Sequence, residues 1–172
     1  LQVGDIARQL YDPQSQGELI NPQAEGFDAA FARTQHLLTH SRQPIFEAGF
    51  RAGGALAFAD VLLPSDEGDQ LGWRMVEVKS STSVKDYHRD EAAIQACLAR
   101  ESGIALTAIA LAHIDSGWNY PGQGDYQGLL RESDLSEEAF ARADEVKGWV
   151  AQAQAVVHCD SAPTLATGAQ CF

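Results

Sequence analysis

The sequence predicts an α/β fold, a mixed sheet flanked by helices, and three observations predict it. Three strand-like runs follow one another closely, at Pro44–Ala52, at 55–63 (ALAFADVLL) and at 74–81 (RMVEVKSS), separated by turn residues. A helical stripe over 83–102 is then followed by an unbroken apolar run, Ile104–His113, which is how a strand buried on both faces reads. A further helical pattern, Phe27–His40, precedes the first strand. An antiparallel meander joined by a helical crossover to a buried strand gives a mixed sheet with helices packed on it.

The elements follow in order. Val3, Ile6, Leu10 and Tyr11 give residues 1–12 the spacing of a short amphipathic helix. Residues 13–26, rich in Gln, Pro and Gly, read as a loop. Phe27, Ala30, Phe31, Thr34, Leu37 and Leu38 recur at helical spacing, and Pro44 marks the exit. Gly53-Gly54 fits a tight turn between the first two strands. Pro64, Asp66, Glu67, Gly68 and Asp69 form the turn between the second and third. Ala92, Ala93, Ile94, Cys97 and Leu98 stripe the next helix, and Gly103 suits its C-terminal cap. Asp115–Gly128 is a Gly-, Tyr- and Trp-rich loop. Ser136–Val157 reads as an extra C-terminal helix, with Ser133 or Ser136 as its cap, acids in its first turn, and Gly148 as a point where it bends or splits. Residues 158–172 read as coil.

At 172 residues the chain is long enough for one domain with a sizeable core, about 27–115, and a helical extension over 116–172. It starts at Leu1 rather than Met and reads as a piece of a longer protein. No run of 18 apolar residues is present, so no membrane span is expected. Three widely spaced cysteines do not suggest a disulfide framework, and a cytoplasmic location fits them.

Charge argues in the other direction from the site. The net charge is −12, whereas nucleic-acid binders usually present a basic surface. The acidity is uneven: residues 101–172 hold three Lys and Arg against ten Asp and Glu, while residues 29–100 hold eight of the twelve Lys and Arg.

Asp60 interrupts one apolar strand, and Glu77 and Lys79 interrupt the next. A carboxylate in such a place is costly unless a cation offsets its desolvation. Glu77 and Lys79 are two apart and so share a strand face, which Asp60 can reach from the paired strand. Two hard oxygen ligands plus waters suit Mg²⁺ or Mn²⁺, with the carbonyl of Val78 as a further ligand and Lys79 beside the metal to orient a water or steady developing charge. Glu47, on the preceding strand, is either a third carboxylate of the shell or a plain strand charge. Gln95 either holds the lysine or a phosphate oxygen, or is a helix-surface amide. Ser80, Ser81 and Thr82 could touch a phosphate backbone or cap the next helix. Tyr87, His88 and Arg89 suit contacts to a single strand, or are merely solvated. His36 and His40 are secondary metal-ligand candidates; His113 reads as structural, and His158 beside Cys159 does not make a zinc site.

The pattern of Asp60, a gap, then Glu77-Val78-Lys79 resembles the PD-(D/E)XK nuclease superfamily, without the Pro that names the motif, since Ala59 precedes Asp60. The order helix, three strands, helix, strand matches the αβββαβ restriction-endonuclease-like core of that superfamily. Gln95 resembles the helix Gln of RecB-type nucleases, although Leu98-Ala99-Arg100 stand where their Tyr follows. EVKSSTSVKDYHRDEAAIQ, with IFEAGF before it and LAHID after it, is similar to the bacterial domain of unknown function 2779, placed near RecB-like and CRISPR-associated exonucleases. The resemblance runs from VGDIARQLY to GAQCF. It implies a divalent-metal-dependent DNA nuclease, acting as an exonuclease on single-stranded ends. It also implies a four-cysteine [4Fe-4S] cluster in the longer parent protein, with Cys171 where the C-terminal cysteines would begin, while Cys97 reads as core. A nucleic-acid-binding or scaffold domain without turnover, and an RNA-cutting defence or toxin effector, are the other readings.

Overall fold

The structure is a computed structural model describing residues 2–66 and 71–162. The turn residues Glu67, Gly68 and Asp69 and the Cys171 position fall outside the described residues.

The first helix, α1 (Val3–Tyr11), leads through a two-residue strand, β1 (Glu18–Leu19), and a single turn, α2 (Pro22–Glu25), to α3 (Phe27–His40). Then come β2 (Ile45–Ala52), β3 (Ala55–Ser65), β4 (Gly72–Lys79), α4 (Asp86–Glu101), β5 (Leu106–Ile114), β6 (Leu130–Asp134), α5 (Ser136–Ala141) and α6 (Ala143–Val157). The six strands form one mixed sheet in the order β1-β2-β3-β4-β5-β6. The pairs β2·β3, β3·β4 and β5·β6 are antiparallel, and β1·β2 and β4·β5 are parallel. The expected α/β architecture is therefore present, as a mixed sheet flanked by helices.

Three differences from the sequence reading have physical causes. The 13–26 loop contains β1 and α2, both too short to show a period. β6 is an edge strand whose polar residues, LRESD, carry no apolar run. The C-terminal helix divides at Arg142 rather than Gly148, which lies inside α6. There Arg142 bonds Asp90 at 2.7 Å and Glu145 at 2.7 Å and lies over the Trp149 ring, fixing the turn between α5 and α6.

Strand alternation splits the core in two. Ile45, Ala48, Phe50, Leu62, Met75, Ile109 and Leu111 pack with α3 and α4, the latter through Ala92, Ala96 and Leu98. Phe46, Val61, Val76 and Ala112 face the other way, beside Tyr11 of α1. Gly53 and Gly54, at φ +57° and +81°, close the β2–β3 hairpin between the paired Ala52 and Ala55, as a two-residue turn of this hand requires. Gly103, at φ +87°, ends α4.

Alternation slips at one place. In β2, Phe46 and Ala48 enter different clusters although they are two apart, and the residue between them, Glu47, has φ +56°. In β3 the same slip occurs between Ala59 and Val61, around Asp60. Since Phe46 pairs with Val61 and Ala48 with Ala59, Glu47 and Asp60 stand opposite each other. A left-handed backbone at a non-glycine residue is strained, and such strain persists where the surroundings impose it.

Candidate metal-binding and catalytic site

The site lies where the sheet forks. The β3–β4 ladder runs from Ser65↔Gly72 to Val61↔Val76 and goes no further. Beyond it β3 continues on β2 to Ala55, and β4 continues on β5 to Lys79↔His113. Side chains fill the fork. The Asp60 carboxylate accepts the backbone N–H of Val78 at 2.7 Å. The Gln95 amide, from α4, donates to the backbone carbonyl of Phe58 at 3.0 Å and to Glu77 Oε2 at 2.8 Å. Lys79 Nζ donates to Glu77 Oε1 at 2.6 Å and pairs with Glu91 Oε2 at the same distance.

Each position follows from a local rule. Glu77 and Lys79 share the face of Trp73 and Met75 because strand side chains alternate, and that face is covered by α4. Gln95 and Glu91 are four apart, hence one above the other on α4, so one grips Glu77 and the other grips Lys79. Glu91 was legible only as Gln95 minus four, and nothing in the sequence marks it without the fold.

Burial makes the site electrically tense. Glu77 is only 3% exposed, and burial first, then the Asp60 charge, push its carboxyl up to about 8 against the opposing pull of Lys79 and Gln95. Asp60 is also raised, chiefly by burial, although the Val78 N–H, Lys79 and a hydrogen bond with Glu77 pull it back. Burial pulls the Lys79 ammonium down, but Glu77 and Glu91 outweigh it and hold it above the usual lysine value. A buried carboxyl and a half-buried one within hydrogen-bonding reach of each other favour a shared proton or a cation between them. The buried Oε1 of Gln95 has no partner, and an orphaned acceptor at such depth calls for a donor.

The donor set fits a hard divalent cation: two carboxylates whose charges are under-compensated, Asp60 beside the half-buried Lys79 and Glu77 behind it. Among the described residues no group of three or more His, Cys, Asp or Glu is gathered to hold a metal. Glu47 stands opposite Asp60 across the β2–β3 ladder; burial first, and then Asp60, raise its carboxyl, and Arg8 of α1 lowers it. The expected iron–sulfur cluster takes four cysteines and belongs, by the resemblance, to a longer parent protein; this chain has three. Of these, Cys97 is buried in the core and Cys159 is exposed.

The remaining candidates divide. Ser80 and Thr82 are exposed and Ser81 half-buried directly after Lys79, with the Ser81 hydroxyl on the carbonyl of Ser83. They do not cap α4, whose N-cap is Lys85. Tyr87, His88 and Arg89 lie in the first turn of α4. Tyr87 is exposed, but His88 is 3% exposed and accepts the Lys85 N–H, so it faces inward and not toward a strand on the surface. Arg89 is paired with Glu138. His36 and His40 stack on one another on α3, and His113 sits beside Lys79 in the β4–β5 ladder.

No family model matches this chain, and no curated protein matches it. Among solved structures it is similar to the crystal structure of SSO0001, at 16% identity over 83% of this chain and 73% of that one, with a TM-score of 0.33. A likeness of that degree carries no weight for fold or function.

Proposed function

We propose that the chain is a divalent-metal-dependent nuclease of the PD-(D/E)XK, RecB-like kind, hydrolysing phosphodiesters of DNA. The observation that carries this reading is the gathering of Asp60, Glu77 and Lys79 at one fork, with both carboxyls raised by burial and Glu77 raised further by the Asp60 charge. Asp60 and Glu77, with the main-chain carbonyl of Val78, would hold Mg²⁺ or Mn²⁺. Such a metal, when bound, polarises a phosphoryl oxygen and acidifies a water. Gln95 fixes Glu77 from behind, so the carboxylate does not turn away from the fork. Lys79 holds positive charge next to Glu77, where it orients a water or steadies charge developing on the phosphate. Glu91 holds the Lys79 ammonium and keeps it protonated.

Calorimetric titration with Mn²⁺, wild type against Asp60→Ala, tests the metal centre, and labelled DNA and RNA oligonucleotides offered side by side test the substrate. Mn²⁺ binding that vanishes in the variant, with cleavage of DNA ends by the wild type, is the expected result. Wild type that neither binds Mn²⁺ nor cleaves either polymer would overturn it.

One pair of observations favours a second reading, a nucleic-acid-binding domain without turnover. Lys79 is held by two carboxylates at once, and the chain carries a net charge of −12. Cleavage of RNA alone would instead point to an RNA-cutting effector. Among the described residues no helix is long and apolar enough to cross a membrane.

A further inference from the structure

The loop between β5 and β6 leaves three aromatic rings outside both apolar clusters: Trp118, Tyr120 and Tyr126. They lie on each other, not on the core. Tyr120 and Tyr126 stack at 5.3 Å and 22°, Trp118 and Tyr126 at 6.2 Å and 24°. Tyr120 is 53% exposed. Trp118 and Tyr126 are half-buried, in contact with each other and with Tyr120.

The loop is braced to hold them. Trp118 Nε1 donates to the Gln127 carbonyl at 2.8 Å, and the Tyr120 hydroxyl accepts the Gly124 N–H at 2.7 Å. Asp115 accepts the Gly117 N–H, and Asp125 accepts the Gln127 N–H, both at 2.9 Å. Both acids of the loop are thus engaged with its own backbone, and residues 115–128 contain no Lys or Arg.

Its position is set by the sheet. β5 runs parallel to β4 with His113 opposite Lys79, and Ile114 donates its N–H to the Ser81 carbonyl at 2.9 Å. The aromatic loop therefore leaves the sheet at the same end as Lys79, alongside the segment that follows it.

We propose that Trp118, Tyr120 and Tyr126 form a stacking platform for the unpaired bases of a single-stranded nucleic acid leading into the Asp60–Glu77–Lys79 fork, an assignment that rests on the nuclease reading for its direction. The chemistry selects this ligand. A loop without cations gains nothing from phosphate charge, and the bases inside a duplex have no free faces. Unpaired bases offer π-faces to rings of any sequence context. An acidic protein that binds nucleic acid must draw more on stacking and less on counterion release.

The test is binding in EDTA, where no cleavage interferes. A fluorescein-labelled mixed-sequence 15-mer, single-stranded or annealed to its complement, is titrated with the full chain and followed by anisotropy. The single strand binds more tightly than the duplex, and its affinity changes only about threefold between roughly 50 and 200 mM salt. The Trp118→Ala/Tyr120→Ala double variant loses about tenfold or more with an unchanged circular dichroism spectrum. Trp118→Phe retains binding but loses much of the tryptophan quenching that a stacked base causes. Equal binding by the double variant, a preference for duplex, or no binding of the single strand overturns the platform. Binding without any cleavage once Mg²⁺ is restored sinks the nuclease reading alone, and cleavage with unaltered binding in the double variant sinks the platform alone.

Discussion

Val78 donates its backbone N–H to the Asp60 carboxylate at 2.7 Å, just past the point where the β3–β4 ladder ends. Asp60 thus serves as the strand's missing hydrogen-bond partner while adding charge beside Glu77. The two roles separate by substitution. Asp60→Asn keeps an acceptor for Val78 and removes the repulsion, so in EDTA at pH 8 it should be more stable than wild type. Asp60→Ala removes both and should fall below Asn by about 1 kcal/mol. Urea denaturation reads this difference, and equal midpoints for Asn and Ala would show that the Val78 contact contributes nothing.

The metal-free protein should gain stability as pH falls from 8. Glu77 is raised from an ordinary 4.5 to about 8, by burial first and Asp60 second. A carboxyl raised in the folded state contributes stability that is full below its unfolded value and lost as pH rises through its folded value. The window is therefore about 4.5 to 8, and Asp60, also raised, adds in the same direction. The gain from pH 8 to pH 5 is on the order of a few kcal/mol. In Glu77→Gln the urea midpoint should depend on pH far less across that window; an undiminished slope would assign the effect to other groups.

β2, β3 and β4 were legible as short apolar runs between turn residues, β5 as an unbroken apolar run, and α4 by a stripe of period 3.6. Asp60, Glu77 and Lys79 were legible as charges where the pattern wanted none. What pairs with them was not. The Glu91–Lys79 bridge, the inward turn of His88 and the fork itself depend on where α4 settles and where one ladder stops, and neither has a local signal. β6 escaped notice because an edge strand can be polar throughout.

Lys79 and Glu91 should differ sharply in turnover. Lys79 is tucked between two carboxylates and stands next to the proposed metal site, while the Glu91 side chain is 43% exposed. Lys79→Met should lower kcat about 100-fold or more while leaving Mn²⁺ binding in place. Glu91→Gln keeps the shape and frees the ammonium from one partner, so its effect on kcat should stay within about tenfold. Steady-state cleavage of an end-labelled oligonucleotide measures both. A Lys79→Met enzyme with wild-type kcat would reduce Lys79 to a structural ion pair.

The Gly53-Gly54 turn should tolerate change at its first residue and not at its second. Both residues have positive φ. A Cβ on Gly53 would meet nothing nearer than Glu101 Oε2 at 3.9 Å, whereas one on Gly54 would fall 1.9 Å from Gln154 Nε2, the group that bonds the Gly53 carbonyl at 2.6 Å. Asn accepts the left-handed region and Ala does not. Gly53→Asn should therefore be neutral, or stabilising by a few tenths of a kcal/mol through the unfolded chain. Gly54→Ala should cost about 1–2 kcal/mol and loosen α6 from the hairpin. Thermal melts of the two variants decide it, since the register that sets Glu47 opposite Asp60 starts at this turn. Equal melting temperatures would mean that the turn's hand does not set that register.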